Sequence, residues 1–212
     1  MPFDEFIRFI QDRTNQELPG REAHLRMAPS PLDGIRNYRL SPEGEAYSSS
    51  VMVLLFPDDS RDMNIVFTLR TESIIHGGQI SFPGGQTEPG ETPEETALRE
   101  TEEEIGVSQG HVHVAGTLSS LYLHRSNNLI TPVIGFHEST PDLNINPVEV
   151  QEAFTVPLIT FLNGDKLVKE PWTLHDKTYE VPYWDVHEVP LWGATAMILN
   201  ELLDLYKEFR KL

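Results

Sequence analysis

The chain has no cysteine. That excludes a disulfide framework, a thiolate metal site and a cysteine nucleophile together. It is also short of positive charge, with 16 Lys and Arg against 33 Asp and Glu and a formal net charge of -17. So negative a surface repels nucleic-acid backbones and anionic lipid, and neither is expected as a partner. A polyanionic substrate must then be captured by bound cations and a few local basic groups, the candidates being Arg61, Arg70, His76, His124 and Arg125. Long hydrophobic runs are missing as well, none approaching the roughly 20 residues of a membrane span. Residues 1–5 lack the basic and apolar regions of a secretory signal, so the cytoplasm is the expected compartment. With 212 residues and 39% hydrophobic content, a single domain over residues 1–212 with one substantial core is expected.

Phe3, Phe6, Ile7 and Ile10 recur at helical spacing and predict an amphipathic N-terminal helix docked on the core. Residues 15–47, rich in Pro, Gly and polar side chains, read as an irregular strap packed through Leu25, Met27 and Ile35, so that residues 1–47 form a helix and strap. Two apolar β-rich runs, 51–56 and 65–69, should pair as central strands. A short strand at 79–82 should feed Pro83, Gly84 and Gly85. Further strands are expected around Val112 to Leu118, over 129–136 with Pro132 implying an edge or bulge, and at 154–156. A hairpin should join 172–174 to 179–181 through His175, Asp176 and Lys177. Ala194, Met197, Ile198, Leu202, Leu205 and Phe209 predict a closing helix after Gly193. That helix and one at residues 93–105 on the other face make a layered α/β/α sandwich.

The densest pattern lies in residues 84–107. Thr92, Pro93 and Glu95 form a helix start with a capping box, and Gly106 supplies the stop. Leu98, Thr101 and Ile105 should pack on one side, while Glu100, Glu103 and Glu104 gather on another. Like charges at this spacing repel by about 0.2–0.5 kcal/mol per exposed pair, so gathering them favours a compensating cation. Oxygen ligands alone point to a hard ion, Mg²⁺ or Mn²⁺, which completes its shell with water and substrate phosphates. The plainer reading is a solvated acidic helix face.

Gly85, Glu91, Arg99, Glu100, Glu103, Glu104, Gly106 and Val107 stand at spacings that resemble the Nudix box over residues 85–107. The resemblance implies the Nudix α/β/α sandwich with a mixed central sheet. It also implies divalent-metal hydrolysis of a nucleoside diphosphate linked to another moiety. Glu100, Glu103, Glu104 and the Gly84 carbonyl match the metal-binding positions, and Glu91 with Arg99 matches an internal ion pair. Thr101 departs from the usual aliphatic residue; its methyl group can still face the core, with little loss of packing expected.

Outside the box, Phe67, Thr68, Leu69 and Arg70 followed by His76, Gly78, Gln79 and Phe82 resemble the coenzyme A pyrophosphatase branch of that family. So do residues 146–150, 156–158 and 191–196. This implies a small-molecule substrate, coenzyme A or its thioesters, cut to 3′,5′-ADP and 4′-phosphopantetheine or its acyl form. Arg70, His76, Gln79 and Arg125 are the candidate substrate contacts, Arg70 because a guanidinium offers bidentate donors to phosphate. The general base is Glu103, Glu149 or Glu152. The branch usually has a second basic residue where this chain has Ile74 and Ile75, and Arg125 is the candidate to replace it. Phe82 reads as core in preference to an adenine platform. Hydrolysis of ADP-ribose or NADH, and a non-catalytic nucleotide-binding regulator, stand as alternatives, the complete carboxylate set weighing against the last. The oligomeric state is open, a homodimer being one option.

Overall fold

Two strands that start paired and then part company give the fold its shape. In the computed structural model, which describes residues 2–33, 39, 41–72 and 77–211, β2 (Tyr47–Pro57) and β3 (Met63–Arg70) are bonded antiparallel only from Leu55↔Ile65 to Pro57↔Met63. These strands come after α1 (Pro2–Arg13), α2 (Gly20–Arg26) and β1 (Ser30–Pro31). At their other ends the next stretch of chain enters between them. β4 (Ile80–Ser81) bonds β3, and β5 (Gly84–Gln86) bonds β2. The remaining elements are α3 (Pro93–Ile105), β6 (His113–Thr117), β7 (Leu121–Leu123), β8 (Asn128–Phe136), β9 (Val150–Pro157), β10 (Leu167–Leu174), β11 (Lys177–Trp184) and α4 (Gly193–Phe209).

β8 runs parallel to β2 from Tyr47↔Asn128 to Leu55↔Phe136, β6 and β7 lie antiparallel outside β8, and β9 lies antiparallel outside β3. The eight-stranded sheet is therefore mixed. Its strands alternate inside and out at period two. Val53 and Leu55, Ile65 and Phe67, and Ile134 meet the apolar sides of α1 and α4, through residues such as Phe6, Ile10, Leu199 and Leu202. Met52, Leu54, Phe56, Val66 and Val133 face the other way and meet Ala97 and Ile105 of α3. One helix per face was expected; the α4 face also carries α1, which brings Phe6 against Tyr206 and Phe209.

Three expectations need correction. The strap is not irregular throughout: residues 20–26 form α2, because Pro19 already holds a helical φ of -57° and the next six side chains contain neither a β-branched residue nor a proline. Met27 is buried and Leu25 partly so, while Ile35 lies outside the described residues. Pro132 sits in an interior strand, paired with Val51 on one side. On the other side it falls where β6 ends and β7 has not begun, and only its carbonyl is used, accepting the Leu118 N–H at 2.9 Å. The missing N–H is thus absorbed by a break in the neighbour. Finally, the β10–β11 hairpin turns on two residues, with His175 and Asp176 at φ 49° and 62°, and Lys177 is already paired with Leu174.

A buried carboxylate ties the helical layer together. Glu201 of α4 is fully buried. One oxygen accepts from the Gly20 N–H (2.8 Å) and Ser119 Oγ (2.7 Å), the other from His24 Nε2 (3.0 Å) and the Ser119 N–H (3.1 Å). Burial pushes this carboxyl up, but the bonds from His24 and Ser119 more than reverse it and hold it below its ordinary value. A carboxylate depressed in the fold contributes stability above its unfolded pKa and loses it as pH falls through the folded one. Glu201→Ala strands four donors and should destabilise by about 3–5 kcal/mol, roughly a 10 °C fall in Tm at neutral pH. Glu201→Gln should flatten the acid limb of a stability-against-pH curve, and a wild-type acid limb in that variant would show that the carboxylate is not its source.

Candidate active site

α3 is fixed at both ends by its own sequence. The Glu95 N–H bonds Thr92 Oγ1 (3.2 Å), the Thr92 N–H bonds Glu95 Oε2 (2.8 Å), Pro93 opens the first turn, and Gly106 ends the helix at φ 72°. The Thr101 hydroxyl is satisfied inside the helix by the Ala97 carbonyl at 2.6 Å, so a polar group enters the core with its bond already made. The division of α3 into a packing face and a carboxylate face does not hold. Glu104 is only 1% exposed, among the packing residues, whereas the Glu103 side chain is 55% exposed. The acidic groups straddle the edge of the buried face.

Glu104 reaches the place where β2 and β3 have parted. Its Oε2 accepts the Gly84 N–H at 3.2 Å, and its Oε1 lies 3.2 Å from Arg70 Nη1 at the end of β3. Burial pushes its carboxyl up to about 7, against the pull of Arg70 and the Gly84 N–H. Glu100 is raised too, by burial first, then by the charges of Glu103 and Glu149, with Arg99 opposing. The double glycine is what lets the chain come this close. A Cβ on Gly84 would stand 2.4 Å from the Ser50 carbonyl, and one on Gly85 2.4 Å from Glu100 Oε1.

Arg99 is the hub of the exposed side. Its Nε and Nη2 hold both oxygens of Glu91 (2.7 and 3.0 Å), Nη2 also donates to the Gln86 carbonyl (3.1 Å), and Nη1 donates to Glu100 and Glu103 at 2.9 Å each. The bond from Arg99 lowers the Glu91 carboxyl to about 2. This pair ties the loop before α3 to the middle of the helix.

A second loop is tied to the far end of α3. The Asn144 and Asn146 N–H groups donate to the carbonyls of Ile105 (2.8 Å) and Glu104 (2.9 Å), and Thr71, next to Arg70, bonds the carbonyls of Val148 and Glu149. Glu149 is thereby held between β3 and α3, near enough for its charge to raise Glu100 and Glu104. Glu152 goes elsewhere. It pairs across the sheet with Leu69, on the α4 side, and bonds His187 at 3.3 Å, whose ring stacks on Phe154. That geometry leaves Glu103 and Glu149 as the better candidates for a base.

Of the other candidates, Gln79 is half-buried and accepts the Arg70 N–H through its carbonyl. Arg125 and His124 are exposed in the β7–β8 turn, and neither makes a described contact with the carboxylates. Arg61 is at the opposite end of β2–β3, 3.3 Å from Asp4. His76, Ile74 and Ile75 lie outside the described residues. Phe82 is buried and stacked on Phe67, a core residue as expected.

Ser50 was not expected here. It lies on the face of β2 shared with Met52 and Leu54, opposite Gly85, and its buried Oγ has no hydrogen-bond partner among the described residues. Its only sequence signal is a polar residue at an inward position at the start of an apolar strand.

As they stand, no three Asp, Glu or His side chains among the described residues converge on one point. Arg99 draws Glu100 and Glu103, and Arg70 draws Glu104. The chemistry nonetheless fits a hard divalent cation. Glu100, Glu104 and Glu149 form a partly buried oxygen set in which burial, with a smaller contribution from neighbouring carboxylate charge, keeps the carboxyls of Glu100 and Glu104 raised, and an orphaned hydroxyl lies on the same face of β2.

Residues 46–176 match the family described as NUDIX domain. Nudix hydrolase 3 of Caenorhabditis elegans is 32% identical over 196 residues, which cover 83% of this chain and 80% of that protein. Peroxisomal coenzyme A diphosphatase NUDT7 of Mus musculus is 34% identical over 139 residues, 62% of this chain, and the matched part is 58% of the mouse protein. Among solved structures, the Nudix hydrolase RenU of M. smegmatis superposes with a TM-score of 0.57 at 16% identity, covering 85% of this chain and 94% of that one. Among the described residues no helix is long and apolar enough to cross a membrane.

The closeness of Gly85 to Glu100 gives a direct test of the carboxylate set. A methyl group in Gly85→Ala meets the flexible end of Glu100, so the fold should survive while the carboxylate is pushed aside. Mn²⁺ affinity by calorimetry should fall at least about tenfold, roughly 1.4 kcal/mol. Unchanged affinity with an intact melt would remove Glu100 from the ligand set.

Proposed function

The chain belongs to the Nudix family, and from that premise we propose that it is a Mg²⁺- or Mn²⁺-dependent pyrophosphohydrolase acting on coenzyme A or its thioesters. The observation that carries the chemistry is that Glu104 bonds Arg70 where β2 and β3 diverge, with Glu100 and Glu149 near enough for their charges to act on it. The substrate is supported by the runs at 67–85, 146–158 and 191–196 and by the likeness to a relative named as a coenzyme A diphosphatase.

Glu100, Glu104 and the Gly84 carbonyl would hold the ion, joined by Glu103 where Glu149 is the base. The chemistry such an ion supplies is positive charge against the phosphoryl oxygens and easier deprotonation of water. The protein's own groups do the rest. Arg70 presents its guanidinium donors to a phosphate oxygen, with Gln79 beside it on the adjoining strand end. Glu149 or Glu103 accepts the proton of the attacking water at a carboxylate oxygen, water oxygen bonds to one phosphorus, and the bridging P–O bond breaks to release the second phosphate. Glu91 and Arg99 hold the box loop in register with α3 while this happens.

Purified protein with Mg²⁺ or Mn²⁺ should cleave coenzyme A faster than ADP-ribose or NADH, releasing 3′,5′-ADP resolved by chromatography. A clear preference for ADP-ribose would overturn the coenzyme A reading and leave the Nudix hydrolase reading intact. Dephospho-coenzyme A should be cleaved more slowly if the 3′-phosphate is gripped.

The base is separable by kinetics. For whichever of Glu149→Gln and Glu103→Gln removes it, kcat should fall about 10²-fold or more with Mn²⁺ affinity changed only a few-fold. Loss of affinity and kcat in parallel would identify a ligand instead. Wild-type kcat in both variants would exclude both residues.

A further inference from the structure

The two arginines at the carboxylates are held very differently. Arg99 is anchored by both oxygens of Glu91 and by the Gln86 carbonyl, so it can release Glu100 and Glu103 and stay where it is. Arg70 has no such anchor. Among the described residues its guanidinium makes one bond, the single 3.2 Å contact with Glu104, and uses one of five N–H donors. Its side chain is 21% exposed while that of Glu104 is 1% exposed, so the guanidinium spans from the buried carboxylate to solvent.

We propose that Arg70 is an exchangeable counter-ion: it neutralises the buried Glu104 in the cation-free protein, is displaced when a divalent cation takes that carboxylate, and is then free to hold a substrate phosphate. The inference rests on reading Glu104 as a cation ligand. Its physical basis is that a carboxylate this deeply buried needs a positive partner in either state, and a cation and a guanidinium compete for the same Oε1. Arg70 is on this view a positioning residue in one state and a substrate contact in the other. Cation binding and substrate binding become coupled through one side chain, because the ion that takes Glu104 releases the one engaged donor and leaves the whole guanidinium able to turn to a phosphate.

The exchange predicts effects of opposite sign in one variant. Full-length wild type, Arg70→Gln and Arg70→Lys would be titrated with Mn²⁺ alone by calorimetry and melted in chelator and in saturating Mg²⁺. Arg70→Gln should bind Mn²⁺ about tenfold more tightly, since the competing charge is gone. It should melt several degrees below wild type in chelator and recover most of that difference with Mg²⁺. Arg70→Lys should stay near wild type in both. In a Glu104→Gln background, Arg70→Gln should no longer alter Mn²⁺ affinity, a comparison that keeps the proposal testable if the single variant is poorly folded in chelator. Wild-type Mn²⁺ affinity and an unchanged chelator melt in Arg70→Gln would overturn the exchange while leaving the cation site standing. Failure of the wild-type protein to bind Mn²⁺ would overturn the cation site itself.

Discussion

Glu104 must carry a carboxylate into a face of α3 that is otherwise packed, and much of the surrounding structure follows from that requirement. An isolated buried carboxylate costs several kcal/mol and survives only with donors or a cation beside it. The donors come from chain segments that the fold has to deliver. The Gly84 N–H is available because β2 and β3 separate and β5 enters between them, which in turn needs a residue without a side chain against the Ser50 carbonyl. Arg70 is available because β3 ends at that same place. The splay of the sheet, the double glycine and the arginine at the strand end answer one electrostatic demand.

The same demand bears on the proposed capture of a phosphate by so acidic a protein. Glu91, Glu100, Glu103, Glu104 and Glu149 stand against Arg70 and Arg99, so the groove is formally negative by three charges. An anionic substrate meets repulsion there unless positive charge is added, and the arginines already present are engaged with carboxylates. That charge balance supports the proposed dependence on divalent cations. The Glu91 to Arg99 pair has a separate role. It is bidentate, and with the Arg99 bond to the Gln86 carbonyl it joins residues 86 and 91 to the centre of α3, which aligns the glycine turn with Glu100.

What could be read in the sequence was what is local. The caps of α3, the paired runs of β2 and β3, and the periodicity of α4 are set by residues within one or two turns of each other, and they stand where expected. What escaped was set by distant segments. Glu201 reads as a polar interruption in an apolar helix, because the groups that satisfy it, Gly20, His24 and Ser119, are 82 to 181 residues away. Ser50 could not be told from an ordinary strand-end serine until β5 was seen to lie opposite. Glu104 was grouped with Glu103 by spacing alone, although the single-residue step between them, about 100° around a helix at the edge of a packed face, is enough to bury one and expose the other.

Glu149 and Glu152 make the same point where function is at stake. By sequence they stand three residues apart, with nothing to choose between them. The choice is made by pairing with β3. In the regular register of β9, Glu152 is matched to Leu69 on the α4 side of the sheet, where His187 meets it, and the register shifts only beyond that pair, setting Val150 against Arg70. Glu149 lies just before the strand, in a turn pinned on one side by Thr71 and on the other, through Asn144 and Asn146, by the last carbonyls of α3. Those α3 carbonyls are left unsatisfied by the helix itself and must be bonded by something. By bonding them, the 144–149 loop also carries a carboxylate to Glu100 and Glu104, so an ordinary requirement of helix termination positions a candidate catalytic group.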